Sequence, residues 1–212
     1  MQIELDLCQD YQYNELIDKL FIGVNNNADV FIIPNHYVSK VKEFLPNDKI
    51  ISVPISSDLD TKVQNHAIIS AAKKGAHAVD LYVNPIHIAN KDEDKLEKSL
   101  LSNLKVSDDY NVILRAIIEY RLYDYNTIKM VLGILKVCGI EYTIPSSGTM
   151  LDDPYDNITI CAGMQIDFGL KAIYNAGLWL DDHYHNIIKN KIFGIRMKSV
   201  SSFSILKRCI IH

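Results

Sequence analysis

Four charged residues on strand-like runs could carry chemistry in this 212-residue chain: Asp80, Arg115, Glu119 and Arg196. A positioned carboxylate acts as general acid or base, and a guanidinium beside it stabilises the negative charge that proton abstraction creates. Strand alternation puts Asp80, Tyr82 and Asn84 on one face of Ala78-Val79-Asp80-Leu81-Tyr82-Val83-Asn84. The same rule groups Arg115, Ile117 and Glu119; Ile144, Ser146 and Gly148; Thr159, Cys161 and Gly163; and Gly194, Arg196 and Lys198. Asp80, Glu119 and Arg115 are the catalytic candidates. Asp80 and Arg115 fit equally well as a mutually satisfied scaffold pair, since buried charges need partners wherever they occur. Arg196 suits phosphate or carboxylate recognition, although a surface arginine on a last strand reads the same way.

The remaining reactive side chains say less. His183 and His185 follow Asp181-Asp182, a set that could ligate zinc, but such a segment is ordinarily solvated and no metal is expected. His36 and His87 follow strand ends, where a titrating imidazole could shuttle protons; simple loop histidines explain them as well. Cys161 reads as a core thiol without a cationic neighbour. Cys8, Cys138, Cys161 and Cys209 form no CxxC pair, which points to free thiols in a reducing compartment and a cytoplasmic location.

These residues need a frame. Runs rich in Ile and Val occur at 3–8, 29–34, 49–56, 78–84, 111–119, 142–147, 157–162 and 191–197, nearly continuous in hydrophobicity as strands buried on both faces should be. Helical spacing separates them over 58–74, 92–104, 124–138 and 167–175, with Asp58, Asp92 and Asp124 as caps and Gly75 and Gly139 as stops. Eight strands alternating with helices predict one domain over 1–212, an α/β fold of the (β/α)8 TIM-barrel type. Only nine residues, 148–156, separate the sixth and seventh runs, fewer than a parallel crossover needs. The spacing therefore predicts a shortened barrel whose crossover helix between Gly148 and Asn157 is missing. A second subunit, another protein partner or the tail 199–212 would cover the bare strands.

The motifs resemble those of the deoxyribose-phosphate aldolase family. Val30-Phe31-Ile32-Ile33-Pro34, Ala76 to Asn84, Leu114 to Glu119, Tyr142 to Gly148, Ile160 to Met164 and Ile192-Phe193-Gly194 follow its strand motifs in order, across roughly residues 3–200. The resemblance implies a barrel and a Schiff-base lysine, whose position falls on Ile144. A second, activating lysine falls on Thr159. Neither residue has an amine to condense with a carbonyl. The family's acid/base aspartate falls on Asp80, and Glu119 is kept. Gly148, Gly163 and Gly194 of the phosphate pocket remain, while Arg196 and Met197 replace its paired serines and Gln165 its arginine. With Asn84, Ser146, Ser147 and Arg196, those three glycines make the expected substrate-binding set.

A formal charge of −4 and a pI near 5.9 argue against general nucleic-acid binding. No apolar run reaches the length of a membrane span, and Met1 to Asp6 lacks the pattern of a signal peptide. The expected function is that of an aldolase-like pseudoenzyme without cofactor, binding a small phosphorylated or carboxylated ligand or a partner and assembling as a homo-oligomer. The alternatives are a lyase or isomerase on a small sugar using Asp80 or Glu119, and an aldolase with a relocated amine on Lys198.

Overall fold

Eight parallel strands close into a barrel in chain order: β1 (Gln2–Asp6), β2 (Val30–Ile32), β3 (Ile50–Ile55), β4 (Ala78–Tyr82), β5 (Ile113–Ile117), β6 (Tyr142–Ile144), β7 (Lys171–Tyr174) and β8 (Gly194–Met197). The computed structural model describes residues 1–9, 11–56, 60–178 and 180–211. Helices wrap the outside: α1 (Tyr13–Asn25), α2 (Val38–Val41), α3 (Thr61–Lys74), α4 (Pro85–Ala89), α5 (Glu93–Asp109), α6 (Tyr125–Cys138), α7 (Pro154–Phe168), α8 (Asp181–Lys189) and α9 (Ser202–Ile211). Among the described residues no helix is long and apolar enough to cross a membrane.

The strand faces have different partners. Leu5, Phe31, Val53, Val79, Leu81, Leu114, Ala116 and Ile195 point outward and pack with Leu20, Ile68, Leu100, Leu135 and Ile187 in the main core. Full burial of one such side chain contributes about 1.5–3 kcal/mol, so this ring-shaped layer holds the helices to the barrel. Side-chain caps start several helices: Asp92 accepts from Lys95 N, Asp124 from Thr127 N, and Asp153 from Tyr155 N and Asp156 N. Gly75 and Gly139, at φ +100° and +83°, stop α3 and α6. The expected cap Asp58 lies outside the described residues; Asp60 caps α3, accepting from Lys62 N.

The expectation of a missing crossover helix is overturned. Helix α7 occupies 154–168, between β6 and β7, so the run 157–162 is helical and the seventh strand is Lys171–Tyr174, inside the segment read as a helix. The cause is local. Ile158-Thr159-Ile160 is a β-branched run, and Ile166 faces solvent at 80% exposure, which blurs the apolar stripe of a surface helix. The boundary signals were nonetheless present: Asp153 with Pro154 opens the helix, and Gly169 at φ +70° closes it. The barrel is not shortened here, and the argument for a covering subunit at this place goes with it.

Candidate functional site

The ring centre holds a closed quartet of charges. Glu4 on β1 pairs in register with Arg196 on β8, and Asp80 on β4 with Arg115 on β5. Arg115 Nη1 lies 2.5 Å from Glu4 Oε1, and its Nε donates to Asp80 Oδ1 at 2.6 Å. Arg196 Nε donates to Glu4 Oε2 at 2.8 Å. Its Nη2 sits 2.8 Å from both Glu4 Oε2 and Asp80 Oδ2, contacts held by charge and poorly angled for hydrogen bonding. Ser52 Oγ donates to Asp80 Oδ1 at 2.8 Å. All four charged side chains are at most 3% exposed. Burial pushes the Asp80 carboxyl up, but Arg115 and Arg196, with hydrogen bonds from Arg115 and Ser52, outweigh it and hold it below its ordinary 3.8.

Hydrocarbon completes the interior. Ile117, Ile144 and Ile173 form their own apolar cluster, flanked by Tyr82 and Phe193. Ile144 is fully buried there, so the position that the resemblance assigns to a Schiff-base amine is dry and apolar.

Over the strand ends lies a mouth of two adjoining cavities. The first, about 280 Å³, is bordered by Asp6, Cys8, Ser147, Gly148, Arg196 and Lys198 among others. Lys198 Nζ donates to Asp6 Oδ2 at 2.5 Å and to Ser147 O at 2.8 Å. Cys8 is exposed at the rim, and partial desolvation by the surrounding mouth, with Asp6 and Asp80 nearby, pushes its thiol pKa up and away from a reactive thiolate. The second cavity, about 250 Å³, is lined by Tyr82, Val83, Pro85, Glu119, Leu122, Tyr123 and Met150 and shares Tyr82, Ile117 and Thr149 with the first.

In the loop after β6 the successive amides of Ser147, Gly148 and Thr149, which could cradle an anion, are already taken. Ser147 N donates to Glu119 Oε1 at 2.9 Å, Gly148 N to Ser146 Oγ at 3.0 Å and Thr149 N to Ser147 Oγ at 3.1 Å. Gly148 turns at φ +71°, and a methyl group there would run into Lys198 Cε. Gly148→Ala is expected to cost about 1–2 kcal/mol for the left-handed backbone and to push Lys198 off Asp6, without unfolding the barrel. Urea titration checks the first effect; an unchanged midpoint would mean the turn relaxes freely.

Of the expected site residues, the mouth gathers Glu119, Ser147, Gly148 and Arg196, with Ser146 buried beneath the loop. Asp80 and Arg115 lie in the quartet. Asn84 caps α4, its Oδ1 accepting from Ile86 N at 2.9 Å. Gly194 begins β8 opposite Gln2, at the other end of the barrel. Thr159 and Gly163 sit on α7 at the outer groove against α6, away from the mouth. Among the described residues no group of three His, Cys, Asp or Glu side chains could hold a metal ion, and His183 packs edge-on to Tyr155.

Residues that sequence reasoning missed are Glu4, Asp6 and a second buried network. Asp152 accepts from Tyr120 Oη at 2.5 Å and from Asn157 Nδ2 at 2.7 Å. Asn175 Nδ2 donates to Ser146 O at 2.8 Å, tying the β6 loop to the end of β7. Glu4 was signalled: a carboxylate between Ile3 and Leu5 on a strand buried on both faces must find a cation.

No protein-family model matches the chain, and no curated protein matches it in sequence. Solved structures do. An aldolase designated QR15 superposes with a TM-score of 0.84 at 14% identity, covering 100% of this chain and 96% of that one. A deoxyribose phosphate aldolase from Aeropyrum pernix, described as tetrameric, gives 0.81 at 14% identity, over 97% and 88%. At such identities the likeness concerns the fold: this chain has the closed parallel barrel seen in deoxyribose-phosphate aldolases.

Proposed function

We propose that this barrel no longer forms a Schiff base and serves to bind a small molecule at its mouth. The observation that carries the reading is Ile144, fully buried in a hydrocarbon cluster where an aldolase of this type would need an amine. Lys198 is the lysine at the mouth, and its nitrogen is committed to Asp6 and Ser147 O rather than free to attack a carbonyl. Borohydride reduction in the presence of acetaldehyde, followed by mass spectrometry, should leave the protein unmodified. A reduced adduct on Lys198 would overturn the reading and establish a relocated amine.

A second reading keeps catalysis, as a lyase or isomerase on a small phosphorylated or carboxylated sugar. Glu119 favours it, because this carboxylate borders a cavity and, among the described residues, has no ion-pair partner. Asp80 is a poor base by comparison, locked between two guanidinium groups. Turnover of such a sugar that disappears in Glu119→Gln would support this reading; turnover that survives would remove it.

A further inference from the structure

The charges around the mouth do not suit a phosphate. Arg115 and Arg196 are neutralised by Glu4 and Asp80, and Lys198 by Asp6. The loop amides that could cradle an anion are satisfied by Glu119, Ser146 and Ser147. Among the described residues of the mouth, the carboxylate left without an ion-pair partner is Glu119, and it lies in the second cavity.

That cavity has a distinctive lining. Tyr82 and Tyr123 supply two aromatic rings, Glu119 a single carboxylate, Thr149 a hydroxyl, and Val83, Pro85, Ile117, Leu122 and Met150 the apolar remainder. Among the described residues no lysine, arginine or histidine borders it. Both rings feel the same charge: the Tyr82 phenol is pushed up to about 12, first by burial and then by Glu119, and the Tyr123 phenol is raised by the same two causes. An aromatic face attracts a cation through its quadrupole, and the attraction strengthens as water is excluded. One carboxylate among aromatic and aliphatic walls is thus complementary to a cation that is itself partly apolar, as an alkylated ammonium is. A strongly hydrated metal ion would find a single carboxylate where it needs several charged or carbonyl oxygens.

We propose that the Tyr82–Glu119–Tyr123 cavity binds an alkylammonium group of a small organic cation, whose remaining polar part reaches into the adjoining cavity beside Ser147 and Lys198. The shared wall of Tyr82, Ile117 and Thr149 makes the two cavities continuous enough for one ligand. The inference rests on the mouth being a ligand site, but not on the loss of the Schiff-base amine.

The test compares choline with 3,3-dimethylbutan-1-ol, which has the same shape with carbon in place of the charged nitrogen, and with inorganic phosphate. Binding to the full chain is followed by calorimetry and by NMR of the tyrosine rings. Choline should bind roughly tenfold or more tighter than the neutral isostere. Glu119→Gln keeps an oxygen for Ser147 N and should lose about the same factor. Tyr123→Leu should weaken binding while Tyr123→Phe retains it. Equal affinity for the isostere, no choline binding, or choline binding indifferent to Glu119→Gln and Tyr123→Leu would each overturn the proposal. Preferential binding of phosphate would overturn it too, while leaving the mouth a ligand site.

Discussion

Arg115→Met is expected to destabilise the protein by roughly 3–5 kcal/mol, because it leaves Glu4 and Asp80 buried with one guanidinium between them. In a chain of this size that corresponds to a fall in Tm of about 6–20 °C. Removing a whole neutral pair, Glu4→Met with Arg196→Met, should be milder than the single change, since Asp80 and Arg115 then still compensate each other. Thermal unfolding of the two variants beside the parent decides it; a single variant within about 1 kcal/mol of the parent would mean that water enters and screens the quartet. The acid limb of stability follows from the same geometry. Asp80 is held below 3.8 in the folded chain, so the stability it contributes is present above that pH and drains as the pH falls through its lowered folded value. Asp80→Asn should remove that portion of the acid dependence and pay for it with lower stability at neutral pH.

Ile144→Lys has the second large effect. Its terminal nitrogen would enter the cluster of Ile117 and Ile173, where burial favours the uncharged amine. An unfolded lysine keeps its proton to about pH 10.4, so holding the folded one neutral at pH 7 costs about 4–5 kcal/mol. The unfolded chain then binds more protons, and stability must rise with pH. The deficit should shrink by about 1.4 kcal/mol for each unit of pH above neutrality. Urea titrations at two pH values measure this, and a pH-independent deficit would show the ammonium reaching solvent or a carboxylate. A neutral amine below the mouth should also be trapped by acetaldehyde and borohydride, whereas the parent is not. A folded variant that resists trapping would mean that the position has no access from the cavity.

How far the fold could be read depended on where local and global preferences agree. The strands at 30–32, 50–55, 78–82 and 113–117 carry Ile and Val on faces that are buried, and Asp92, Asp124, Gly75 and Gly139 mark helix ends by their own chemistry. The stretch from 148 to 177 departs from its local preferences: Ile158 to Ile160 favour a strand yet are held helical by Asp153, Pro154 and the packing of Ile158, Cys161 and Met164. That one slip moved the seventh strand by about one element and carried Thr159 and Gly163 out of the interior. Ion partners were harder to see. Alternation places Asp80 and Arg115 side by side, but only closure of the ring brings Glu4 to Arg196, 192 residues away. The aromatic cavity was invisible for a related reason: Tyr82 and Glu119 were each assigned to a face, while Tyr123 and Met150 come from loops without periodicity.

Because Glu4 and Arg196 are 192 residues apart, the seam between the first and last strands of the barrel is closed by the longest-range ion pair of the quartet. A nascent chain on the ribosome carries Glu4, Asp80 and Arg115 long before Arg196 emerges, so any early ring encloses one excess carboxylate charge. The ring cannot close before β8 has emerged, so cooperative folding waits on that strand, with the long-range pairing that makes such topologies slow to form.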